Sequence, residues 1–136
     1  MEDTVKIAEE IAREAHEGQT RKFSLDPYIT HPERMAKAAP TNLLKAASWL
    51  HDVIEDTKFT AADLLQRGIT NSVVELVLAV TRRDNETYVE FIERIYNHSQ
   101  EARDLKIIDS SDNMSDLSTS DSLYKRYEGA LERLRS

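Results

Sequence analysis

Cysteine is absent from the 136 residues, so no disulfide and no thiolate metal site can form, and any bound metal must use nitrogen and oxygen ligands. That absence fits a reducing compartment, and the expected location is cytoplasmic. Glycine and proline are equally scarce, three of each, which favours helices with compact connections over a turn-rich sheet structure. The longest apolar run, Leu76 to Val80, falls far short of the roughly 20 residues a membrane span needs. Met1-Glu2-Asp3-Thr4 is acidic and runs straight into an amphipathic pattern, so neither a signal nor a transit peptide is expected. Basic residues are outnumbered, 18 against 25 acidic, for a net charge of −7 with no basic block. A nucleic acid polymer would have little counterion release to drive its binding and is not expected as a partner. A small polyanion is not excluded, because a few cations can dominate the field inside one cleft.

What is present, 40% hydrophobic and 32% charged residues, describes an ordinary globular chain. Its length predicts one domain spanning residues 1–136, and leaves room for a homo-oligomer. Ala8, Ile11, Ala12 and Ala15 place one apolar stripe on a helix over residues 3–16. Gly18 ends it, and residues 19–30 then read as a long irregular segment, often a functional feature in a small domain. Pro32 opens a second helix that Pro40 stops. Thr41 or Asn42 caps a third over residues 43–55, and Thr60 with Asp63 forms a capping-box start for a short helix ending at Gly68. Residues 72–81 are rich in β-branched side chains, yet no partner strand is evident and helix is preferred. Tyr88, Phe91, Ile92, Ile95 and Tyr96 line another helix. Residues 100–115 form the next, and Leu123, Tyr127, Ala130, Leu131 and Leu134 mark the last. The predicted fold is an all-α bundle of about seven or eight helices.

His51-Asp52 lies on the third predicted helix with Glu55 and Asp56 one turn beyond, gathering an imidazole and carboxylates into one patch. Carboxylates so close repel unless a cation, a shared proton or basic neighbours offset them. A solvated helix end is the bland alternative, since charge runs usually face water. Two features weigh against it. His31 stands at the mouth of a helix, and Asp109 follows Leu105, Ile107 and Ile108 on a helix with a buried face, where a carboxylate needs a partner. Two histidines and two aspartates suit manganese, iron, zinc or nickel.

Read in order, the pieces Ala15-His16-Glu17-Gly18-Gln19-Thr20-Arg21-Lys22, Pro27-Tyr28-Ile29-Thr30-His31-Pro32, Leu50-His51-Asp52-Val53-Ile54-Glu55-Asp56-Thr57, Val80-Thr81 and Lys106-Ile107-Ile108-Asp109 with Asn113 resemble the HD superfamily of metal phosphohydrolases. The similar branch contains the hydrolase domain of bifunctional stringent-response enzymes and the small stand-alone alarmone hydrolases. The resemblance implies a metal held by His31, His51, Asp52 and Asp109, most readily Mn2+, with Fe2+, Zn2+, Ni2+ or Co2+ as alternatives. It implies a catalytic acidic pair, Glu55 and Asp56, basic loop residues Arg21 and Lys22, and a substrate-contacting Asn113. Asn113, one turn from Asp109, would look into the same cleft. Lys106, three residues before Asp109, either reaches phosphate or pairs with that carboxylate. Arg82 is a further candidate for phosphate, and Arg126 and Tyr127 either line the cleft or serve as an aromatic core contact with a solvated basic face.

The implied activity is hydrolysis of guanosine 3′,5′-bis(diphosphate) or pentaphosphate with release of 3′-pyrophosphate, by attack of hydroxide on phosphorus without a covalent enzyme intermediate. The alternatives are an HD-type phosphohydrolase acting on another nucleotide or nucleoside phosphate, and a metal- or nucleotide-binding regulator without turnover. Either way the partner is a small nucleotide. The chain departs from the family pattern at Leu25-Asp26 before Pro27-Tyr28, and at Ser110-Ser111-Asp112, where the family often carries an arginine and a histidine. His16 is expected to fix the loop that follows it, His98 to lie at the surface and Trp49 to lie in the core.

Overall fold

The computed structural model describes residues 1–21 and 24–136, and Lys22 lies outside the described residues. Among them the helices are α1 (Glu2–Ala15), α2 (Thr30–Ala38), α3 (Asn42–Leu50), α4 (Val53–Asp56), α5 (Ala61–Gln66), α6 (Asn71–Ala79), α7 (Tyr88–His98), α8 (Gln100–Ser115) and α9 (Ser122–Leu134). The all-α expectation holds, and the only β pairing among the described residues is an isolated bridge between Thr20 and Pro27.

Local chemistry sets the boundaries. Thr41, Thr60, Thr87, Ser99 and Asp121 each accept a backbone N–H in the first turn of the helix they precede, and Thr60/Asp63 and Thr87/Glu90 complete reciprocal capping boxes. After α5 the chain turns at Gly68, whose φ of 99° is readily adopted by glycine alone. Residues 71–79 are helical despite their β-branched content. Val73, Val74, Leu76, Val77 and Ala79 are buried there, and tertiary packing outweighs the weak local preference for strand.

α3 is the centre of the bundle and packs against α1, α2, α6 and α8. Its Leu44, Ala46, Ala47, Ser48, Trp49 and Leu50 are all buried, leaving little polar face, as a core helix requires. Trp49 is in the core as expected, with the Arg13 guanidinium 5.2 Å from its ring centre. The helix expected over residues 43–55 is divided. At Asp52 the backbone reaches φ −107°, ψ 0°, and a separate short turn, α4, follows. α8, packed against α2, α3, α7 and α9, carries its own polar groups inward at Lys106, Asp109 and Ser110.

Candidate metal centre

The break between α3 and α4 decides where the acidic patch points. In a continuous helix His51 would sit above Glu55; instead His51 is buried and turns toward α8, while Glu55 and Asp56 are exposed at the rim. Asp52 stands between the two groups. One ligand atom each from His31, His51 and Asp52 lie within 4.8 Å of one another, and the same holds for Asp52, Glu55 and Asp56.

Each histidine is oriented by a bond on its Nδ1 side. His51 Nδ1 donates to the Ser48 carbonyl at 2.9 Å, so in the neutral ring Nε2 carries a lone pair. That atom is buried without a hydrogen bond, 3.0 Å from Asp52 Oδ2 and 3.4 Å from Asp109 Oδ1. His31 contacts Asp112 Oδ2 through Nδ1 at 2.5 Å and Asp109 Oδ1 through Nε2 at 2.9 Å. Electron pairs from imidazole nitrogens and carboxylate oxygens therefore converge on one small volume. A divalent cation is the group such a donor set fits.

The charge state of the site is uneven. Desolvation in the cleft, together with the charges of Asp109 and Asp56, pushes the Asp52 carboxyl well above the usual range. Burial would do the same to Asp109, but the Lys106 ammonium, foremost among its neighbours, holds it well below. Lys106 donates to Asp109 Oδ2 at 2.8 Å, and although burial disfavours its charge, that carboxylate keeps the ammonium protonated. Burial would lower His31, yet its bonds to Asp109 and Asp112 raise it. His16 is buried and pushed down by desolvation. Its Nδ1 lies 2.9 Å from Gln19 Oε1, at the start of the loop it was expected to fix.

The cleft has a volume of about 600 Å³, and Arg21, Tyr28, Asp52, Glu55, Asp56, Lys106, Asp109, Asn113 and Tyr127 are among its walls. Asn113 donates to Asp109 Oδ1 at 3.2 Å. Lys106 pairs with Asp109, one of the two roles open to it. Arg21 is buried, with its guanidinium donating to Asn113 Oδ1 at 3.2 Å and Asp116 Oδ2 at 2.8 Å. Two further candidate cations are not among its walls. Arg82 offers only its backbone N–H to Glu55, at 3.0 Å, while its guanidinium donates to the Glu86 carbonyl and sits 5.9 Å from the Tyr88 ring centre. Arg126 stacks on Tyr88 at 3.6 Å and lines a neighbouring groove. His98 is exposed, as expected.

Three contributors escaped sequence reasoning. The Tyr28 hydroxyl donates to Asp52, Arg34 grips Asp112 with Nε and Nη2 at 2.7 and 3.0 Å, and Asp112 reaches His31. Burial would raise the Asp112 carboxyl, but His31 and Arg34 hold it at about 2. The available signal was spacing: Arg34 and Asp112 each lie three residues after a predicted ligand, on the same face of its helix.

Bundle and constellation together resemble the HD superfamily of metal-dependent phosphohydrolases, with His31, His51 and Asp52 as a triad suited to a divalent metal. Within that class the chain is similar to SpoT-type alarmone hydrolase domains. It is 47% identical over 78 residues to the bifunctional (p)ppGpp synthase/hydrolase SpoT of Escherichia coli (strain K12), covering 54% of this chain and 11% of that protein. Over 92 residues it is 37% identical to a GTP pyrophosphokinase of Streptomyces coelicolor, covering 63% of this chain and 10% of that one. The chain thus spans about a tenth of the length of these curated relatives. A solved structure described as a metazoan ortholog of SpoT that hydrolyses ppGpp superposes with a TM-score of 0.80. It covers 98% of this chain and 86% of that one, and at 22% identity it establishes the likeness of fold. No family model matches the chain.

Proposed function

We propose that residues 1–136 act as a single HD-type domain that hydrolyses guanosine 3′,5′-bis(diphosphate) or pentaphosphate and releases 3′-pyrophosphate. The observation that carries this reading is the convergence of His31, His51, Asp52 and Asp109 beside Glu55 and Asp56 in one open cleft. The alarmone specificity is supported by the names of the relatives, which are pyrophosphohydrolases and synthases of this nucleotide.

His31, His51, Asp52 and Asp109 would hold the cation, with Mn2+ the first choice. When bound, it supplies the positive charge that acidifies water and polarises a phosphoryl oxygen. Glu55 and Asp56, exposed at the rim, orient the attacking water and take its proton. The water oxygen bonds to phosphorus as the bond to the ribose 3′-oxygen breaks, and the leaving oxygen recovers a proton from the same acidic pair. Lys106 keeps Asp109 ionised. Asn113, Tyr127 and the Arg21 region of the loop line the cleft and would face substrate oxygens there. Tyr28, through its bond to Asp52, holds that carboxylate in place.

A second reading, hydrolysis of a different nucleotide phosphate at the same centre, is favoured by the departures from the family pattern at Leu25-Asp26 and Ser110-Ser111-Asp112, which change the loop and the residues beside Asp109. Product analysis with Mn2+ separates the two. Pyrophosphate released from guanosine tetraphosphate, with nucleoside triphosphates and a 3′-phosphorylated nucleotide left intact, is the expected result. Turnover of one of the others instead establishes the second reading. Metal-loaded protein that hydrolyses none of them overturns both.

A further inference from the structure

Asp112 neither holds the metal nor faces the substrate in that reading, yet its contact to His31 is shorter than that of the ligand Asp109. Its Oδ2 is 2.5 Å from Nδ1, while Asp109 Oδ1 is 2.9 Å from Nε2. A neutral imidazole has one N–H to give. If the proton sits on Nδ1, the lone pair of Nε2 faces His51 and Asp52; if it sits on Nε2, it is spent on Asp109 and that nitrogen cannot ligate. The carboxylate at 112 favours the first arrangement.

Asp112 is itself immobilised. Arg34 grips both of its oxygens, and through Nη2 also reaches Asp116 Oδ2 at 2.9 Å, the carboxylate that receives Arg21. The geometry follows from helix spacing: His31 and Arg34 are three residues apart on α2, Asp109 and Asp112 three apart on α8, and the two helices pack together. Two side chains from each helix thus form one ladder, with the outer pair holding the inner pair.

We propose that Asp112 is the positioning residue for His31, fixing the Nδ1–H tautomer so that Nε2 is presented to a divalent cation. The inference rests on the proposed metal centre. Carboxylates behind ligating histidines are worth about 10–100-fold in metal affinity.

The test is calorimetric titration of the metal-free 136-residue chain with Mn2+, alongside unfolding without metal, for the parent, Asp112→Ala, Asp112→Asn and Arg34→Met. Asp112→Ala is expected to weaken Mn2+ by about 10–100-fold. Asp112→Asn, whose amide oxygen still accepts the Nδ1–H, is expected to keep part of that affinity, and Arg34→Met to lose less than Asp112→Ala. Nitrogen-15 spectra of the metal-free His31 ring, recorded at a pH where that ring is neutral, should show the Nδ1–H tautomer in the parent and its loss in Asp112→Ala. A folded Asp112→Ala that binds Mn2+ within twofold of the parent overturns the proposal, even if it melts earlier, because that is what a purely structural role predicts. Should the alanine variant fail to fold, unchanged affinity in both Asp112→Asn and Arg34→Met overturns it equally. A parent that takes up no Mn2+ overturns the metal reading itself, and is seen before any variant is made.

Discussion

His51 donates its Nδ1 hydrogen to the carbonyl of Ser48, one turn back at 2.9 Å, and so aims a bare Nε2 at the carboxylates of Asp52 and Asp109. A buried lone pair among acceptors is costly until a cation arrives. Mn2+ should therefore raise the melting temperature. At about 100 times Kd the gain is about 2.7 kcal/mol, read by calorimetry, and a chelator should reverse it. His51→Ala should erase the shift.

Asp109 is buried against an equally buried Lys106, so removing it does more than delete a proposed ligand. Asp109→Ala should destabilise the metal-free protein by about 3–5 kcal/mol, because it strands the ammonium. In denaturant titrations, adding Lys106→Met should restore part of the loss, while hydrolysis stays absent. A double variant as unstable as the single one would show that the pair is not what holds this part of α8.

Glu55 and Asp56 are exposed and only adjoin the histidine cluster. Glu55→Gln or Asp56→Asn should lower kcat by about 10²–10⁴-fold, the usual contribution of acid–base catalysis, with Mn2+ affinity changed far less. Comparing turnover with metal titration for the same samples separates this from ligand loss.

Away from the cleft, Arg94 donates to Glu86 at 2.6 and 2.9 Å and to the carbonyls of Ala79 and Thr81, tying the 80–87 connection to α7. The hydrogen bonds from Arg94 hold the Glu86 carboxyl at about 2, below its ordinary 4.5. A depressed folded value means the unfolded chain binds the proton first, so this stabilisation is complete above pH 4.5 and fades as pH falls toward 2. Melting curves of the parent and Glu86→Gln should converge across that window and stay apart at neutral pH.

The helices were legible because their signals are local. Capping boxes at Thr60 and Thr87, the apolar stripe of α1 and the limits of α8 depend on residues three or four apart. The helix expected over 43–55 misled for a related reason. Its side-chain pattern is continuous, but His51 and Asp52 leave the helical path so that the imidazole can reach α8, and no local preference encodes that. Arg82 and Arg126 are candidates for phosphate by charge alone, and that both guanidinium groups lie near the ring of Tyr88 is a tertiary fact no local pattern signals.

By itself the amino-acid sequence determined the helical content, the absence of thiol chemistry and the histidines and carboxylates on offer to a cation, since these follow from composition and short-range periodicity. Only the tertiary structure decided that His51 faces α8, that Asp112 stands behind His31, and that Arg21 engages Asp116. Those contacts join residues as much as 81 and 95 positions apart. They exist because packing α2 on α8, and the loop on both, brings charges together at hydrogen-bond range, and that range is set by the whole core.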